Sequence, residues 1–257
     1  MRVRPATSDD YDQFTRFFAE FGLPDPTPTR DWWERSLPNA IFLEDGDQLI
    51  AYGLAYTLGH DLGYVMHVVV DPGVRNRGVG RVLMGALREK LREAGCTSWN
   101  LNVLVDNAAA IALYRRSGME IAYATESLLL AWADVAALPQ DPSISAELLL
   151  PERDAEVERA FGLPAGRLTT ARAVPGRVVV HTQGGVTVFD PAFPGSPIFR
   201  AKSVQAARAL LEALRPHRRI EDESLRIAVE DDAALVSALQ AAGAKPVRSL
   251  LNMRGAL

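Results

Sequence analysis

Apolar positions along this chain alternate between a period near two and a period near 3.6, and that alternation runs through twice. Residues 1–6 read as a short strand. A helix follows over 8–21, with Ser8 at its N-cap and Asp9 and Asp10 in the electropositive first turn. Tyr11, Phe14, Phe17, Phe18 and Phe21 share one face of it. The stretch 22–29, with Pro24, Pro26 and Pro28, breaks the pattern before a short helix at 31–37. Strands are expected at 40–44 and 48–58, turned at Asp45-Gly46-Asp47, and at 64–70, stopped by Asp71-Pro72-Gly73. In the helix at 79–94 the positions Val79, Val82, Leu83, Ala86, Leu87 and Leu91 keep the helical period, and Gly95 ends it. A strand at 98–105, a helix at 107–117 stopped by Gly118, and a strand or strand pair at 121–132 complete the first series.

Periodicity fades over 134–145, which carries Pro139 and Pro142 and reads as a connection between two lobes. Helices at 152–161 and 165–173, strands at 177–182, 185–189 and 197–201, a helix at 204–215, a strand at 225–230, a helix at 233–242 and a strand at 247–253 then repeat the earlier order. Asp106-Asn107-Ala108-Ala109 matches Asp231-Asp232-Ala233-Ala234, and Gly118 and Gly243 stand at the same distance from Asn107 and Asp232. The expected division is a first domain at 1–133, a linker at 134–145 and a second domain at 146–257.

Composition narrows the classes. The chain has 257 residues, 48% apolar and 23% charged, enough to bury a core without disulfides or metals. A net charge of -4 argues against nucleic-acid binding. Cys96 is the single cysteine and reads as a packed thiol. His60, His67, His181 and His217 lack ligand spacing, so no metal is expected. The N-terminus has no signal-peptide core and no apolar run reaches a membrane span of about 20 residues, so no membrane partner is expected and the cytoplasm is the default location.

The stretch that carries chemistry is Val68-Val69-Val70-Asp71-Pro72-Gly73-Val74-Arg75-Asn76-Arg77-Gly78-Val79-Gly80-Arg81. It joins an apolar strand to an amphipathic helix through a basic, glycine-containing turn. A helix N-terminus offers unpaired N–H groups and partial positive charge, which suit a diphosphate. Gly78 and Gly80 let backbone approach phosphate oxygens, and Arg75, Arg77 and Arg81 add charge at the rim. No Gly-Lys-Ser/Thr follows, and the third position of a GxGxxG fingerprint is Leu83, so triphosphatase and dinucleotide loops do not fit.

Arg75-Asn76-Arg77-Gly78-Val79-Gly80 resembles the Arg/Gln-x-x-Gly-x-Gly/Ala signature of the GNAT acetyltransferases. The segment from Asn107 through Leu113-Tyr114 to Gly118-Met119 resembles that family's later helix, with Met119 in place of an aromatic residue. The resemblance covers about residues 2–132. It implies an α/β (α+β) fold of two GNAT-like lobes, each a mixed, mostly antiparallel sheet flanked by helices, in the manner of tandem acetyltransferases. The second lobe is degenerate: Lys202-Ser203 replaces the glycine loop and Leu239 stands where Tyr114 would.

The resemblance further implies direct transfer of acetyl from acetyl-CoA to an amine of a small molecule or peptide. Val68, Val69 and Val70, on a bulged strand, would contact the acyl chain and pantetheine; the turn Arg75–Arg81 and Asn107 would hold the rest of the donor, Asn107 serving as ligand or helix cap. Tyr114 would give a proton to the leaving thiolate. Tyr64 and Met66 take the acceptor-facing positions, with Trp32 and Trp33 as an aromatic wall. No base is obvious: His67 is the first candidate, with Glu44, His60, Asp61 and Glu126 behind it. A CoA-binding sensor and a transferase of longer acyl groups are the alternatives. The second lobe would cover the acceptor side or pair two copies of the chain as a homodimer.

Overall fold

The computed structural model describes residues 1–22, 26–58 and 61–257. Along the first half run β1 (Arg2–Pro5), α1 (Tyr11–Ala19), α2 (Arg30–Ser36), β2 (Ala40–Asp45), β3 (Gln48–Thr57), β4 (Leu62–Val70), α3 (Val79–Glu93), β5 (Ser98–Leu104), α4 (Ala108–Arg116) and β6 (Glu120–Ala131). Then come β7 (Glu147–Leu148), α5 (Asp154–Ala160), α6 (Arg167–Arg172), β8 (Val178–Thr182), β9 (Gly185–Asp190), β10 (Gly195–Ala201), α7 (Val204–Leu214), β11 (Ser224–Glu230), α8 (Ala233–Ala241) and β12 (Lys245–Ala256).

The chain forms two compact units, and no single cut separates them. One contains Met1–Val103, Asn107–Glu120 and Met253–Leu257; the other contains Leu104–Asp106 and Ile121–Asn252. The strand after Glu120 therefore counts with the second unit, and the last five residues return to the first, unlike the expected cut near residue 133. Leu257 N–H donates to Thr97 O at 3.0 Å, tying the C-terminus beside β5. The expected linker is also partly core: Val135 and Leu138 are buried with Leu128, Trp132 and Leu211 in the second unit.

In the first unit the strands lie in the order β1-β2-β3-β4-β5, antiparallel except for the parallel pair β4–β5. Phe14, Phe17, Trp33, Phe42, Tyr52 and Val69 build an aromatic core between one sheet face and helices α1 and α2. Phe14 stacks on Trp33 at 4.7 Å. Thr7, rather than Ser8, opens the first helical segment: Asp10 accepts hydrogen bonds from the Thr7 amide (2.7 Å) and hydroxyl (2.8 Å), and from both terminal nitrogens of Arg4. Val79, Leu83, Met84, Leu87 and Leu91 are the buried face of α3, whereas Val82, expected on that face, is exposed.

The second unit orders its strands β6-β11-β10-β9-β8-β7, again antiparallel apart from one parallel pair, β10–β11. β7 was not foreseen, because two residues carry too little alternation to read. Cys96 is buried and burial raises its thiol pKa, in keeping with a packed thiol.

Candidate active site

A bulge and a parting of strands define the site. β4 pairs with β3 as His67↔Leu54 and Val65↔Ala55, so Met66 is the extra residue of a β-bulge. Parallel pairing of β4 with β5 covers Leu62–Tyr64 against Ser98–Asn100 and stops there among the described residues. Beyond Tyr64 the backbone edge of β4, through Val68–Val70, is left without a β5 partner. Free N–H and C=O groups on such an edge can pair with an extended amide chain.

After Val70 the chain makes a short 3-10 turn, Pro72–Val74, in which Asp71 Oδ1 accepts from Gly73 N–H at 2.9 Å. Asn76 and Gly78 both take positive φ, 64° and 82°. Gly78 is the N-cap of α3, and a side chain there would meet nothing within 4 Å. Its glycine answers the left-handed backbone and the open space in front of it. Gly80 has a different cause: a Cβ would stand 3.1 Å from Leu113 Cδ2, so its small size seats α3 against α4. Gly78 O accepts the first helical bonds, from Arg81 and Val82 N–H. The amides of Val79 and Gly80 are left at the open end, as helix geometry requires. Arg77 and Arg81 are exposed beside them and make no ion pair among the described residues. This cradle of amides, positive charge and empty space fits a diphosphate.

Arg75 does not face that space in the way its place in the motif suggested. Its Nε donates to Val70 O at 3.0 Å and its Nη2 to Glu20 Oε2 at 2.8 Å, so it ties the turn to α1. Asn107 caps α4, accepting from Ala110 N–H at 3.1 Å. Tyr114, on α4, is buried, and burial pushes its phenol up to about 12.

The candidate acceptor residues separate. Tyr64 lies against Tyr56, ring centroids 5.5 Å apart, and its hydroxyl accepts from Asn102 Nδ2 at 3.4 Å. Met66, on the bulge, is 41% exposed. Trp33 is fully buried, with its indole N–H donating to Thr7 O at 3.2 Å, so it is a core residue and no wall of an open pocket. Trp32 is half-buried and tilts against His67 at 5.9 Å. His67 itself is 6% exposed, ringed by Phe18, Phe21, Trp32 and Tyr52. Its Nδ1 lies 3.2 Å from Tyr52 Oη, and burial lowers its pKa to about 4. Such an imidazole is neutral at pH 7 but a weak proton acceptor for an ammonium. Glu44 is held by Arg2 and Arg4, at the β1 edge of the sheet. Glu126 accepts from Ser249 Oγ in the second unit, and His60 lies outside the described residues. Sequence reasoning missed Asn102, whose amide type carries no titration signal, and the partners of Arg75.

The model of the acetyltransferase (GNAT) family matches residues 7–119. A ribosomal protein bS18-alanine N-acetyltransferase of Salmonella typhimurium is 35% identical over 72 residues, 28% of this chain and 48% of its own length. The chain spans between a third and a half of the length of the curated relatives it matches. Two solved structures share the fold across nearly the whole chain. A GCN5-related N-acetyltransferase from Sphaerobacter thermophilus has a TM-score of 0.71 at 16% identity, over 99% of this chain and 95% of its own. A tandem GNAT protein from the clavulanic acid biosynthesis pathway has a TM-score of 0.63 at 19% identity, over 99% and 98%. Among the described residues no helix is long and apolar enough to cross a membrane, and no three His, Cys, Asp or Glu stand together as a metal site.

Proposed function

We infer that the chain transfers an acetyl group from acetyl-CoA directly to the amine of a small molecule or peptide. The observation that carries this is the unpartnered edge of β4 beyond Tyr64, leading into an amide-lined helix opening at Gly78–Gly80. In this reading the β4 edge pairs with the pantetheine amides, and the amides of Val79 and Gly80 hold the diphosphate with Arg77 and Arg81 at its rim. Bound acetyl-CoA supplies an activated acyl carbon. A backbone N–H near the bulge donates to the carbonyl oxygen, favouring the charge that gathers there during attack. Tyr114 donates toward the leaving sulfur. Tyr64 and Asn102 stand at the acceptor side of the parted strands. The alanine N-acetyltransferase likeness supports an amine acceptor and leaves its size open.

The second unit repeats the sheet geometry without the donor loop. β10 carries a bulge between Gly195 and Ile198, and β10–β11 pairing covers only Gly195–Ser196 against Arg226–Ile227. Yet residues 202–203 alone join β10 to α7, where residues 71–78 join β4 to α3. Arg200 Nη2 and Glu230 Oε2, 2.5 Å apart, then bridge the ends of β10 and β11. These features support one donor site per chain, in the first unit, with the second unit a degenerate copy.

Calorimetric titration with acetyl-CoA tests the donor site: the parent protein binds one equivalent, and a Gly78→Glu/Gly80→Glu variant that stays folded by circular dichroism binds none. Equal binding by both would end this reading. One observation favours the sensor alternative: the best-placed histidine is buried at low pKa. Thiol release from acetyl-CoA with a panel of amines separates the two, since a sensor releases none above the rate without amine.

A further inference from the structure

Helix α1 grips the turn after β4 through two ion pairs of opposite sense. Arg16 Nη1 lies 2.6 Å from Asp71 Oδ2, and Glu20 Oε2 lies 2.8 Å from Arg75 Nη2. Both pairs span the same 55 residues of sequence, so a one-turn step along the helix matches a four-residue step along the turn. Each group is fixed a second time. Arg16 donates to Leu49 O at 3.1 Å and its guanidinium covers the Phe17 ring at 4.3 Å. Asp71 accepts from Gly73 N–H, and Arg75 donates to Val70 O, the last carbonyl of β4. The Arg16 guanidinium, first, and the Gly73 amide hold the Asp71 carboxyl below the usual carboxylate range.

The placement of Glu20 is informative. It is the C-cap of α1, where partial negative charge gathers and a carboxylate is unfavourable. Arg75 offsets that charge, which gives the glutamate a reason to stand there. The same helix carries Phe18 against His67 on β4, and Phe21, just past its C-cap, packs on the same imidazole. One element thus touches both the turn that would hold the donor and the aromatic residues of the acceptor side.

Resting on the acetyl-CoA reading above, we propose that α1 is the brace of the donor turn: Arg75 is a strut rather than a diphosphate ligand, and Arg16 and Glu20 are positioning residues. The competing arrangement, in which Arg75 is a phosphate ligand that Glu20 restrains, gives the opposite sign. As a strut, Arg75 loses its function with or without Glu20. As a restrained ligand, it binds better once Glu20 is neutral.

The dissociation constant of CoA is measured by calorimetry for the parent, Glu20→Gln, Arg75→Gln and the double variant. Each single change is expected to weaken binding by about two- to fivefold, the range an exposed ion pair supports. The double variant is no worse than the weaker single, and the exchange Glu20→Arg/Arg75→Glu returns binding to within about twofold of the parent. Tighter binding by Glu20→Gln with weaker binding by Arg75→Gln overturns the proposal, as does no change in either. Hydrogen exchange in the ligand-free protein gives a second reading that needs no CoA. Amides of residues 71–78 exchange faster in Glu20→Gln than in the parent, and equal rates overturn the brace. A parent protein that binds no CoA removes the donor reading, and the exchange measurement still decides whether α1 holds the turn.

Discussion

Replacing Tyr114 by Phe removes one hydroxyl and keeps the ring. Burial pushes that phenol up to about 12, while a free thiol titrates near 8.5. Full proton transfer from the phenol to the departing thiolate is therefore uphill by about 3.5 units, or roughly 5 kcal/mol. In the proposed reaction the phenol would keep its proton and act as a hydrogen-bond donor to a sulfur that gains charge. A hydrogen bond to a charged group contributes about 1.5–3 kcal/mol, so the loss in kcat is about ten- to a hundredfold. Folding stability should change by less than about 1 kcal/mol, because the buried ring remains. The assay is thiol release at saturating acetyl-CoA and amine, from about pH 6 to pH 10, with urea unfolding alongside. The parent should show no falling alkaline limb from Tyr114 in that range, since a group at about 12 stays protonated throughout. An unchanged kcat in Tyr114→Phe would refute the donor role. A parental alkaline limb near pH 9 that vanishes in the variant would refute the reasoning from burial.

Two further predictions concern the fold around the site. His67 has a folded pKa of about 4 against an ordinary 6.5, so between these values the unfolded chain binds the extra proton. The stability it contributes is complete above pH 6.5 and falls on acidification, by about 3 kcal/mol once pH reaches 4. Urea unfolding at several pH values should show that slope, and His67→Leu should flatten it; equal slopes would count against a neutral buried imidazole. Gly63 and Gly78 should respond to alanine for different reasons. At Gly63 a Cβ would meet Leu91 Cδ1 at 2.5 Å and Cδ2 at 2.8 Å, an overpacking cost of about 1–3 kcal/mol. At Gly78 the space is open, and the cost of about 1–2 kcal/mol comes from φ of 82° alone. Leu91→Ala should therefore rescue Gly63→Ala relative to its own single variant and leave Gly78→Ala unrescued, as read from urea midpoints.

Much of the first unit was legible because its signals are local. The faces of α1 and α3 follow one period each, and Asn107, Gly95 and Gly118 are caps whose chemistry depends only on their neighbours. The turn before α3 was legible as a turn for the same reason: glycine, basic residues and a helix start are adjacent in sequence. What failed was long-range. Arg75 reads from its neighbours as a charge at the rim of the turn, and only the fold brings Glu20, far away in sequence, beside it. Trp32 and Trp33 are neighbours on a short helix, and only the fold turns one toward His67 and the other into the core. The unit to which residues 121–131 and 253–257 belong is likewise invisible to periodicity, because a strand reads the same whichever sheet receives it.

The two units, taken separately, show which part of the architecture is structural and which is chemical. Both keep a bulge beside a short parallel pair, and after each bulge the register resumes, at His67 and at Ile198. That feature is present in the second unit as well, where only residues 202–203 stand between strand and helix. The turn of residues 71–78 has no structural necessity, since residues 202–203 connect the corresponding strand and helix with Ser203 as a sufficient cap, accepting from Ala206 N–H at 3.1 Å. A longer connection costs ordering entropy and places two residues at positive φ, Asn76 and Gly78. Nothing in the packing of α3 requires that cost, because α7 packs its own leucines without it. On the proposed function the extra residues are accounted for by what their amides would hold, and α1 contributes two ion pairs to the turn.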